Sequence, residues 1–110
     1  MPRVTAFNLR KSDDLVAIEA ALKAALVSLP EMGIAENEID LVPVLAPDGF
    51  HATVTRIDVD LWERSPRTKD ALQELATRMA MAFKEVVGAD RRVKVVLRPY
   101  DVEKSGWVSL

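Results

Sequence analysis

The chain has 110 residues, 49% of them hydrophobic and 29% charged, with a net charge of −2. That describes one domain, able to bury roughly 65% of its unfolded-chain surface in a single core, and the charge argues against a nucleic-acid partner, which needs a broad basic surface. With no cysteine and one histidine, disulfides and thiol catalysis are excluded and a structural zinc site is disfavoured, so neither metal nor cofactor is expected.

The sequence opens Met1-Pro2-Arg3. If Met1 is removed, Pro2 carries a free secondary amine. An α-amino group titrates near ~8, and burial without a counter-charge lowers that value. Such an amine at the start of a strand is suited to general-base work near neutral pH. A proline after an initiator methionine is also common for no chemical reason. No apolar h-region follows Arg3 and no run approaches the ~18 residues of a membrane span. A cytoplasmic protein with no membrane partner is therefore expected, in keeping with the lack of cysteine.

Residues 3–9 read as a short strand. Ser12 is a suitable N-cap for a following helix, with Asp13 and Asp14 at its positive end. Leu15, Ile18, Leu22, Leu26 and Leu29 recur at helical spacing, and Pro30 and Gly33 stop the run. Residues 39–45 form a second strand, and Pro43 inside it suggests an edge. Pro47-Asp48-Gly49 signals a turn, and His51 just after it reads as a surface histidine.

The cycle then repeats. Residues 52–62 alternate, with Ile57, Val59 and Leu61 apolar and Arg56, Asp58 and Asp60 charged, so one face is dry and the other wet. Ser65-Pro66 marks the next helix start. Leu72, Leu75, Met79, Phe83 and Val86 form its stripe, and Gly88 is its C-terminal cap. Val93, Val95 and Leu97 lie on another half-wet strand with Lys94 and Arg98. The end of the chain reads as a small hairpin, with a turn over 103–106 before Trp107.

The expected fold is α+β: two consecutive β-α-β units, about 2–50 and 51–110, in one domain spanning 1–110. They form a four-stranded mixed sheet with both helices on one face, plus a C-terminal hairpin. The open face, with Arg56, Asp58, Asp60, Lys94 and Arg98, should meet water or a partner. Arg64 and Arg67, three apart around a helix start, read either as solvated cations or as a clamp for a substrate carboxylate. The same choice applies to Arg98 and to Lys11. Trp62 falls on the charged face of its strand, suited to a pocket or a subunit interface, and Trp107 to an interface anchor. A ferredoxin-like binding module is also built from two β-α-β units.

Two stretches carry a resemblance. Leu9-Arg10-Lys11-Ser12-Asp13-Asp14 is similar to the strand-to-helix turn of 4-oxalocrotonate tautomerases. Asp90-Arg91-Arg92-Val93, with Tyr100-Asp101 and Gly106-Trp107, resembles the C-terminal segment of macrophage migration inhibitory factor. The doubled β-α-β beginning at Met-Pro thus resembles the tautomerase superfamily, in its long, fused-repeat branch.

The resemblance implies a homotrimer with wet sheet faces turned inward, and Pro2 as acid or base on a small 2-oxo or unsaturated carboxylic acid. The reaction is keto–enol tautomerisation, or a related decarboxylation or hydration. Arg64 and Arg67 stand near the turn where decarboxylase and dehalogenase branches carry arginines. Migration-inhibitory-factor relatives carry a pocket lysine after the first helix. Here that region is Pro30-Glu31-Met32-Gly33-Ile34, and their pocket tyrosine falls near Val96. These departures point away from phenylpyruvate-type chemistry. They support the alternative of a catalytically inactive trimer with a structural or ligand-binding role.

Overall fold

A computed structural model describes residues 2–47 and 53–110. His51 and the Asp48-Gly49 part of the expected turn lie outside the described residues.

Four strands and two helices follow one another as β1 (Arg3–Leu9), α1 (Leu15–Val27), β2 (Asp40–Leu45), β3 (Val54–Trp62), α2 (Lys69–Val87) and β4 (Arg92–Tyr100). The sheet order is β2-β1-β3-β4. β1 runs parallel to β2 and β3 parallel to β4, while β1 and β3 meet antiparallel at the centre. The proline-bearing β2 is an edge, where a missing N–H costs no ladder bond. Each parallel pair consists of direct neighbours, joined by its own crossover helix. In the split β-α-β arrangement of a ferredoxin-like module, a third strand lies between them. The topology therefore sets that reading aside.

The alternation in β3 is realised. Ile57, Val59 and Leu61 are fully buried, together with Val4 and Ala6 from β1. Against them pack Ile18, Leu22 and Leu26 of α1 and Leu75, Met79 and Phe83 of α2. β1 departs from strict alternation. Asn8 adopts a left-handed conformation (φ 64°), and the pairing with β2 shifts register between Ala6 and Leu9. Asparagine tolerates this backbone better than most residues. The resulting bulge turns Leu9 inward, where it is fully buried.

Both helices start later than the sequence suggests. Asp14, not Ser12, caps α1 by accepting from the Ala17 amide at 3.0 Å. Ser12 lies inside a tight turn that Asp13 closes by accepting from the Arg10 amide at 2.7 Å. Thr68, not Ser65, caps α2 by accepting from the Ala71 amide. The chain from Arg64 to Arg67 first makes its own turn, with the Arg67 amide donating to the Arg64 carbonyl at 2.9 Å. Gly88 ends α2 as expected, at φ 110°.

The expected C-terminal hairpin is absent among the described residues. Asp101 accepts from the Glu103 amide, and its carbonyl accepts from the Ser105 hydroxyl at 2.7 Å. These bonds wind Val102–Lys104 into a single 3₁₀ turn, and no regular element follows. Local side-chain bonds here compete successfully with strand pairing.

The sheet face opposite the helices carries the charged ladder. Register places Arg56, Asp58, Asp60 and Trp62 of β3 beside Lys94, Val96, Arg98 and Tyr100 of β4. Asp58 is buried between the guanidinium groups of Arg56 (2.7 Å) and Arg98 (3.2 Å).

Candidate functional site

The site forms at one end of the sheet, where β1 begins and β3 and β4 finish. Pro2 is buried, and its carbonyl accepts from the Asp40 amide at 3.0 Å. Arg3 pairs with Asp60 in the antiparallel register, so Pro2 lies one step further, beside the last residues of β3. The Glu63 amide then donates to the Tyr100 carbonyl at 2.7 Å. That bond ties the exit of β3 to the exit of β4.

Arg67 turns back into the protein from the β3–α2 connection. Its Nε and Nη2 donate to the Met32 carbonyl at 3.1 and 2.9 Å, and Nη1 donates to the Trp62 carbonyl. The residue is only 7% exposed. Burial pushes its pKa below the ordinary arginine value, and the charge of nearby Arg64 pushes the same way. Glu38 opposes both. All three hydrogen bonds thus go to neutral carbonyls.

Gly33, in the left-handed region at φ 63°, sits against Arg64, and a Cβ there would come within 3.4 Å of its Nη1. Both guanidinium groups therefore gather at the 30–34 turn. Beside them opens a cleft of about 650 Å³, lined by Arg64, Arg67 and Lys69 on one stretch of chain and by Glu63, Asp101 and Glu103 on others. Trp62 is half-buried at the end of β3. Its ring meets that of Trp107, with centroids 6.0 Å apart and planes tilted by 49°.

Two of the expected residues, Arg98 and Lys11, do not line this cleft. Arg98 is on the open sheet face, donating to Asp60 at 3.1 Å and Asp58 at 3.2 Å. The Asp60 charge, its hydrogen bond and Asp58 raise the Arg98 pKa. Lys11 follows the far end of β1. The seven residues of that strand put it roughly 23 Å from Pro2 within one chain.

Sequence reasoning missed a second charged centre, at the opposite end of the sheet. Arg91 donates to both oxygens of Asp13, at 3.0 and 2.8 Å, with both side chains almost fully buried. The Arg91 hydrogen bond, aided by the Arg10 amide and the charges of Arg91 and Arg10, holds the Asp13 pKa below its ordinary value against the cost of burial. Arg91 also lies over the Phe83 ring, 5.8 Å from its centroid. No sequence signal links two positions 78 apart. Among the described residues, no group of three or more His, Cys, Asp or Glu is placed to hold a metal ion. No described helix is long and apolar enough to cross a membrane.

No family model and no curated protein matches the sequence. Solved structures do match. A fused 4-OT solved as an asymmetric trimer has a TM-score of 0.77 at 12% identity, over 96% of this chain and 92% of that one. A malonate semialdehyde decarboxylase inhibited by 3-bromopropiolate has 0.69 at 16%, over 99% and 89%. A member of the cis-3-chloroacrylic acid dehalogenase family has 0.73 at 16%, over 96% and 80%. The chain has the fold of the tautomerase superfamily.

Proposed function

We propose that the protein is a tautomerase-fold enzyme that uses Pro2, freed by removal of Met1, as acid or base on a small 2-oxo or unsaturated carboxylic acid. The observation that carries this reading is Arg67. A guanidinium 7% exposed, held by neutral carbonyls and crowded by Arg64, is a buried charge lacking an anionic hydrogen-bond partner among the described residues. Buried charges are costly unless paired, and a substrate carboxylate in the adjoining cleft provides the pairing. Arg64 meets that carboxylate from the same side. Its planar fork suits two parallel hydrogen bonds.

The fold puts Pro2 at this end of the sheet. In the reaction, the Pro2 amine removes a proton from the carbon next to the carbonyl and returns it at the conjugated position. The guanidinium groups hold the carboxylate and stabilise the charge developing on the enolate. The two arginines pack against the 30–34 turn, which itself has no lysine. That supports a substrate held by guanidinium rather than ammonium.

The working unit is a homotrimer. Its support is the match to trimeric fused 4-OT and the charged, helix-free sheet face. Lys11, at the far end of its own sheet, then serves the site of a neighbouring copy.

The test begins with intact mass, to select protein that has lost Met1. Enol and unsaturated acids are then assayed with the wild type, with Pro2→Ala and with Met1-retaining protein. Turnover should fall by ~10²–10⁴ in both altered forms, the size of an acid–base contribution. Equal turnover in all three excludes Pro2. If processed protein turns over none of the acids yet still binds them through Arg64, the inactive ligand-binding trimer is the better description.

A further inference from the structure

The cleft at this end of the sheet carries its charges in two separate groups. Arg64, Arg67 and Lys69 come from the stretch leading into α2, while Asp101 and Glu103 come from the turn after β4 and Glu63 from the end of β3. Among the described residues no ion pair joins the two groups. Each pole is held by its own fastening. Arg67 is fixed by its fork on the Met32 and Trp62 carbonyls. Asp101 is fixed as the cap of the 3₁₀ turn, with one carboxylate oxygen on the Glu103 amide at 3.0 Å and its carbonyl on the Ser105 hydroxyl.

A ligand whose carboxylate enters the cationic group and whose other end spans the cleft meets carboxylates there. We infer that the cleft selects acids bearing a single carboxylate, and favours those whose far end is neutral or positively charged over dicarboxylates. The inference rests on the carboxylate-binding reading above and adds the discrimination. The physical ground is like-charge rejection. A second carboxylate brought among Glu63, Asp101 and Glu103 is repelled, and such juxtaposition is an effective way to exclude a wrong ligand. An ammonium at the same place is attracted by the same groups.

The experiment uses the full chain and three four-carbon probes: butanoate, succinate and 4-aminobutanoate. Dissociation constants are measured by titration calorimetry or NMR shifts at one fixed ionic strength. The wild type should bind 4-aminobutanoate most tightly and succinate about tenfold more weakly than butanoate. In the double variant Asp101→Asn/Glu103→Gln the succinate-to-butanoate ratio should fall below about threefold. Asparagine keeps the capping oxygen of Asp101, so the turn survives. Equal binding of succinate and butanoate by the wild type, or a ratio unmoved in the double variant, overturns the inference while leaving the carboxylate site intact. If none of the three probes binds, or Arg64→Ala binds butanoate as the wild type does, the carboxylate site itself fails, and the inference with it.

Discussion

Arg64 and Arg67 are three residues apart and chemically alike, yet their surroundings divide their work. Arg64 is exposed, with its guanidinium against Gly33. Arg67 is buried, and two of its nitrogens converge on one carbonyl. Its removal leaves the Met32 and Trp62 carbonyls short of a donor, and hydrogen bonds to a charged group are among the stronger ones. Arg67→Ala should therefore lower unfolding free energy by about 2–4 kcal/mol. Arg67→Lys should recover little of it, because one ammonium cannot reproduce the planar fork. Arg64→Ala should stay within about 0.5 kcal/mol of wild type while losing carboxylate affinity. Urea denaturation of the three variants separates these roles. Equal, small losses for all three would mean that Arg67 does not fasten the 30–34 turn to β3.

At the scale of elements, the Asp13–Arg91 pair fastens the start of α1 to the start of β4, joining the two halves of the chain. Because the folded state depresses the Asp13 pKa, it holds fewer protons there than the unfolded chain does. The pair's contribution is complete above the ordinary carboxylate range and is lost as pH falls through the depressed folded value. Asp13→Asn strands a buried guanidinium and should cost about 3–5 kcal/mol at pH 7. The variant should also lose less stability than wild type between pH 6 and pH 3. Parallel pH–stability curves for the two proteins would remove Asp13 from the acid response.

This pair also marks the limit of what was legible in the sequence. The leucine-rich stripe of α1, the alternation of β3 and the glycine stop of α2 were readable, because each is a local pattern matched to one buried face. The late helix starts were not. Ser12, Asp13 and Asp14 are all good caps, and only the three-dimensional turn decides among them. The hairpin expectation failed because Asp101 and Ser105 bond locally instead. At the site, the arginine pair could be picked out by spacing and resemblance. That Arg67 is buried on backbone carbonyls while Arg64 stays exposed, both lining the cleft, depends on the 30–34 turn arriving from α1, which no local pattern encodes.

For the whole molecule, the sheet face without helices is a charged surface that no described element covers. Asp58 is buried there by its own arginines, while Arg56, Arg98 and Lys94 remain exposed. Beyond β4, Trp107 and Val108 are 66% and 76% exposed. In a trimer both regions can be covered by neighbouring copies. Light scattering at micromolar concentration should give three times the chain mass, and Trp107→Ala should shift the equilibrium toward smaller species. A single-chain mass for the wild type would refute the trimer. The electrostatic part of the association should weaken with salt, since exposed charges are screened over a Debye length of about 8 Å at physiological ionic strength.

The only two tryptophans of the chain are the two whose rings meet at the end of β3. Indole emission from the entire protein thus originates at a single spot, next to the charged cleft and at the base of the tail. The 49° skew between the rings gives the pair the geometry for an exciton couplet in circular dichroism. The protein consequently carries its own optical gauge, able to register ligand entry or tail detachment without any attached dye.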